Sequence, residues 1–106
     1  MTYALVLDAL GDSTRRQVFD RLRDGPQSVS ALAQGLPVSR PAVSQHLKIL
    51  KEAGLVTDES QGARRVYRID RDGLAGVRAW LDGFWDEALD TYQAEIQRQI
   101  DERKNT

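Results

Sequence analysis

Cysteine is absent from this chain, and its 106 residues include one histidine, one methionine and three prolines. Without thiols there can be no disulfide, no thiolate metal site and no cysteine nucleophile. That usage fits a cytoplasmic protein. The single imidazole, His46, cannot build a metal site alone, because such sites need several ligands. Carboxylate-only coordination has no motif behind it, so no metal or cofactor is expected. No apolar run approaches the roughly 18 residues that a membrane span requires. The opening "MTYALVLDALGD" carries acids where a secretion signal would be basic, and no small-residue cleavage site follows. Internal repeats, low-complexity tracts and Pro/Gly/Ser-rich linkers are missing too, so residues 1–106 read as one domain.

A charge excess is also lacking: 15 basic side chains stand against 16 acidic ones, for a net charge of −1. The balance conceals an uneven layout. Residues 1–38 are neutral, residues 39–71 carry seven basic and four acidic groups, and residues 72–106 carry four basic and eight acidic groups. A partner responds to the field of a patch rather than to the whole-chain total. The basic middle is therefore compatible with nucleic acid.

What is present is helical periodicity. Tyr3, Val6, Leu7 and Leu10 recur at helix spacing, and Gly11 ends that first stretch. Asp12 or Ser13 can cap the next helix, in which Val18, Phe19 and Leu22 form an apolar stripe stopped by Gly25-Pro26. Ser30 is placed to cap a short helix burying Val29, Leu32, Ala33 and Leu36. Pro37 breaks it two residues before Ser39, the expected cap of another helix over 39–53. Two short helices joined this tightly make a helix-turn-helix candidate. Gly54 suits a helix C-terminus, and Gly62 a tight turn between two strands over 55–69. From Asp72 to about 103 a long helix carries Leu74, Val77, Trp80, Leu81, Phe84, Trp85, Leu89, Tyr92, Ile96 and Ile100 every three or four residues.

The stretch "SRPAVSQHLKILKEAGLV" sorts cleanly by face. With Arg40 at zero and 100° per residue, Arg40, Ser44, Gln45, Lys48 and Lys51 fall between about 0° and 140°. Val43, His46, Leu47, Ile49 and Leu50 fall between about 180° and 340°. A helix with one cationic, amide-bearing face can lie in a DNA major groove, where each base pair displays a distinct donor and acceptor pattern. Arg40 can bond guanine bidentately and Gln45 adenine, Lys48 and Lys51 can reach phosphates, and Ser39 and Ser44 can donate to either. The alternative is a merely solvated helix face. His46 points inward and is expected to be a hydrogen-bonded packing residue. A catalytic Ser44–His46 pair is excluded by geometry, since residues two apart on a helix do not face each other.

"SRPAVSQHLKILKEAGLV" followed by "GARRVYRID" resembles the ArsR-type family of winged helix-turn-helix transcriptional regulators. "LDALGDSTRRQVFDRL" is similar to that family's N-terminal stretch, and "SVSALAQGLPVS" to its first helix-turn-helix half. The resemblance covers residues 3–70 closely. It implies a mainly α fold with a two-stranded β wing and a homodimer that binds palindromic operator DNA and commonly represses. It places DNA contacts at Ser39, Arg40, Ser44, Gln45 and Lys48, with wing contacts at Arg64 and Arg65. Ser13 stands where the family often has proline. "SALAQGL" lacks the cysteines of the family's arsenic-type site, and the last helix lacks the histidines of its zinc-type site, so metal sensing is not carried over.

The long helix over 72–103 has more apolar surface than one small domain covers, which points to dimerisation with the first helix. The residues expected there are Tyr3, Val6, Leu7, Trp80, Phe84, Trp85, Leu89 and Tyr92. A two-fold dimer would set two reading helices about 34 Å apart, one turn of DNA. Two other readings compete with a repressor: a sensor holding an apolar small molecule among the aromatic residues, and a protein-interaction adaptor using the last helix. An enzyme is not expected.

Overall fold

The computed structural model describes residues 2–105. The chain runs α1 (Thr2–Leu10), α2 (Ser13–Arg21) with a single 3-10 turn at Leu22–Asp24, β1 (Gln27–Ser28), α3 (Val29–Gln34), α4 (Arg40–Glu52), β2 (Val56–Gln61), β3 (Arg64–Ile69) and α5 (Arg71–Lys104). The sheet has order β1–β3–β2 and is antiparallel throughout. The β2–β3 wing is two-stranded as expected, and β1 adds a third strand to its sheet. The added strand is two residues long, with Gln27 opposite Tyr67 and Ser28 opposite Val66. Two residues are too few for an alternating pattern to show in the sequence.

Side-chain oxygens fix the helix starts. Asp12 accepts from the Arg15 amide at 2.9 Å, Ser28 from the Ala31 amide at 3.2 Å and Ser39 from the Ala42 amide at 3.3 Å. Each satisfies an amide that has no partner within its own helix. The cap of α3 is therefore Ser28, not Ser30. Both serines precede the same apolar stripe, and the sequence alone leaves the choice of turn open.

One core joins these elements. Val6 and Ala9 of α1, Val18 and Leu22, Leu32, the α4 row Val43, Leu47 and Leu50, and then Leu55 and Val56 are all buried together. Each fully buried Leu or Val contributes about 1.5–3 kcal/mol relative to exposure. Val6 is 1% exposed and belongs to this core, which corrects its assignment to a dimer face. The helical step that brings Val6 and Ala9 inward turns Leu5 and Leu7 out.

The end of α4 is closed by a Schellman motif. Gly54 adopts φ 81°, its amide donates to Lys51 O at 3.0 Å, and the Leu55 amide donates to Leu50 O at 2.9 Å. Against this turn lies the first turn of α5. A Cβ on Gly73 would sit 1.8 Å from the Gly54 carbonyl oxygen, so glycine at 73 lets the two backbones touch. From this first turn α5 runs 34 residues in all, about 51 Å at 1.5 Å per residue. It leans on α1, where the Tyr3 and Trp80 rings stack with centroids 5.8 Å apart and Phe84 meets Trp80 edge-on at 5.0 Å. No residue of α5 is buried. The molecule is accordingly long and thin, 76 × 25 × 22 Å. Among the described residues, no helix is long and apolar enough to cross a membrane.

Candidate nucleic-acid interface

The reading helix is positioned from behind. Val43, Leu47 and Leu50 are fully buried, so α4 has little freedom to roll, and its opposite face is fixed toward solvent. On that face Ser39, Arg40, Ser44, Gln45 and Lys48 are all exposed. Among the described residues, no hydrogen bond or ion pair engages the side chains of Arg40, Ser44, Gln45 or Lys48. Ser39 differs, because its oxygen caps the helix; its hydroxyl proton remains available to donate. Pro41 sits in the first turn, where its missing amide costs no helical bond. His46 is half-buried on the inner side as expected, but among the described residues its buried Nδ1 has no hydrogen-bond partner.

The wing is β2 and β3 joined through Gly62-Ala63, with Gln61 opposite Arg64. Arg64 is exposed beside this turn and, among the described residues, has no ion-pair or hydrogen-bond partner. Arg65 is occupied: its Nη1 donates to Asp58 at 2.7 Å, while Lys51 Nζ lies 2.8 Å from the other Asp58 oxygen. Arg68 pairs with Glu59. The structure therefore divides the basic residues of α4 and the wing into two sets. Arg40, Lys48 and Arg64 offer free charge, while Lys51, Arg65 and Arg68 share theirs with acids. Hydrogen bonds from Lys51 and then from Arg65 hold the Asp58 carboxyl below the usual carboxylate range, against a smaller opposing effect of burial. The sequence reading missed Asp58. Its only signal there was an acid inside a basic, strand-forming stretch.

Elsewhere the surface offers less. Among the described residues, no group of three or more His, Cys, Asp or Glu side chains is placed to hold a metal ion. An open groove of about 310 Å³ runs along Ala79, Trp80, Gly83, Phe84 and Glu87, and Trp85 and Tyr92 do not line it. The aromatic residues thus do not converge on one enclosed pocket. Trp85 and Tyr92 are instead 68% and 64% exposed, on an outward face shared with Leu81, Leu89, Ile96 and Ile100.

A helix-turn-helix whose second helix exposes an unpaired basic face beside a β hairpin defines a winged helix-turn-helix protein. Residues 10–59 match the family model described as a helix-turn-helix domain. The chain is 54% identical over 94 residues to HTH-type transcriptional regulator Rv2034 of Mycobacterium tuberculosis, spanning 89% of this chain and 88% of that one. It is 32% identical over 79 residues to the transcriptional repressor SdpR of Bacillus subtilis, spanning 74% and 88%. Among solved structures, the homodimeric winged helix-turn-helix DNA-binding domain of a possible ArsR-family regulator from Mycobacterium bovis superposes with a TM-score of 0.65. That match has 33% identity and covers 83% of this chain and 82% of the other. The chain belongs to the ArsR-type family of winged helix-turn-helix transcriptional regulators. This is a class of regulators, not of enzymes.

Proposed function

We propose that this protein is a homodimeric repressor that lays α4 of each copy into successive major grooves of a palindromic operator. The observation that carries the reading is the exposed row Arg40, Ser44, Gln45 and Lys48, set rigidly opposite the buried row Val43, Leu47 and Leu50. Arg40 reads a guanine edge and Gln45 an adenine edge, while Ser39, Ser44 and Lys48 bind phosphate or sugar and fix the register. Arg64 supplies the wing's phosphate contact, with Arg65 beside it sharing charge with Asp58. The homodimeric state of the Mycobacterium bovis domain and the repressor role of SdpR favour the same assignments here. So does α5, whose apolar side has no cover within one chain. Leu7, Trp85, Leu89 and Tyr92 are its contact residues, with Tyr3 and Trp80 bracing α5 on α1 and Phe84 packed against Trp80. Such a regulator works beside chromosomal DNA in the cytoplasm.

Footprinting on DNA upstream of the protein's own coding sequence tests this. The expected result is protection of two half-sites about 10 base pairs apart, centre to centre. Uniform weak protection of all sequences would overturn it.

A further inference from the structure

Asp58 has an unusual position for an acid on a surface that meets a polyanion. It lies on β2, directly opposite Tyr67, and its side chain is 7% exposed because Lys51 from α4 and Arg65 from β3 cover it. Those two cations are themselves about half exposed, at 55% and 53%. The carboxylate thus sits beneath the basic surface, between the C-terminal end of the reading helix and the wing. One oxygen engages each cation. Two positive charges and one negative charge leave a local surplus of a single unit.

Resting on the reading that α4 and the wing face DNA, we propose that Asp58 is a specificity-determining positioning residue: it withholds about one unit of positive charge from the phosphate backbone and pins Lys51 and Arg65 where they lie. Affinity for arbitrary duplex is set by the number of phosphates that cations neutralise, and the logarithm of that affinity falls by about 0.9 per phosphate for each logarithmic unit of salt. Base reading through Arg40 and Gln45 does not depend on that count. A buried carboxylate that partly neutralises two cations therefore lowers binding to random sequence more than binding to the operator. It widens the ratio between the two, which decides whether a regulator finds its site among many competing ones. Of these two bonds, Lys51–Asp58 ties α4 to the wing and Arg65–Asp58 ties β3 to β2, so each cation is drawn toward the carboxylate rather than outward to a phosphate.

The test measures binding of the full chain to a random-sequence duplex and to a protected upstream fragment, across a salt series. Asp58→Asn keeps the side chain's shape and removes its charge. It is expected to steepen the salt slope on random duplex by about one unit and to tighten that binding several-fold, so that the operator-to-random ratio shrinks. A purely structural role would weaken both duplexes and leave the slope alone. In the parent background, Arg64→Ala should flatten the slope by about one unit and Arg65→Ala by clearly less; with Asn at 58, Arg65→Ala should flatten it as Arg64→Ala does. If Asp58→Asn fails to fold, the parent-background comparison of Arg64→Ala with Arg65→Ala decides alone. Equal effects there, or an unchanged slope in Asp58→Asn, would overturn the proposal while leaving DNA reading intact. Failure of the parent protein to bind either duplex would instead sink the reading of α4, and this role for Asp58 with it.

Discussion

Arg40 stands at the first turn of α4, next to the Ser39 cap, and among the described residues its guanidinium has no partner. A bidentate contact from such a group to guanine is worth about 1–3 kcal/mol of discrimination. Arg40→Ala is therefore expected to lose sequence preference by that amount in competition binding. Asp58 gives a second prediction at this scale. Its carboxyl is held below the usual range, so the ion pairs with Lys51 and Arg65 contribute stability that is fully present above the unfolded value of about 3.9. That contribution is lost as pH falls through the lower, folded value. The difference in urea midpoint between the parent and Asp58→Asn should be present at pH 7 and fade in strong acid; a constant difference would contradict the assignment. What was legible here follows from helix period. Arg40, Ser44, Gln45 and Lys48 share an outer face because 100° steps put them there. That Arg64 is free while Lys51 and Arg65 are held was not legible, because it depends on which β2 residue lies beneath them once the hairpin docks.

Helices with strong periodicity announce themselves, and α2, α4 and α5 have their apolar stripes where the spacing places them. The shortest element does not. The two-residue β1 is specified by its tertiary partners Tyr67 and Val66, whereas α3 was legible from its apolar stripe and only its cap, Ser28 rather than Ser30, was not. Val6 was misread for a related reason. A nine-residue α1 presents apolar side chains on several sides, and only the packing of α2 and α4 decides which side turns inward. Two glycines of α5 illustrate how differently one residue type can serve. Gly73→Ala would drive a Cβ into the Gly54 carbonyl, so the first turn of α5 must shift off the α4 cap. A markedly lower melting temperature is expected. Gly83 has open space around it, and Gly83→Ala should stabilise the helix by about 1 kcal/mol, read as a higher melting temperature and stronger helical circular dichroism.

At the scale of the whole molecule, the dominant fact is a helix longer than the domain it belongs to. Its apolar side, Leu81, Trp85, Leu89, Tyr92, Ile96 and Ile100, is more than isolated surface residues would explain. Sequence spacing predicted that surplus, since the stripe runs on after the short N-terminal elements have no more surface to offer. The placement of Tyr3 on Trp80 could not be foreseen, because it needs α1 and α5 side by side. Leu89→Asp, which puts a charge in the middle of the stripe, is expected to convert a dimer to a monomer in analytical ultracentrifugation. Operator affinity should fall by at least tenfold, while each copy keeps its α4 surface. A dimer that survives this change would locate the two-fold contact elsewhere.

The uncovered side of α5 also ties the strength of regulation to how many copies a cell holds. If two chains must meet before either grips an operator, occupancy at low abundance rises with the square of chain concentration, and dilution at cell growth would release the promoter more abruptly than a single-chain binder could. Heat resistance should also rise, with the logarithm of concentration, as the sample is concentrated.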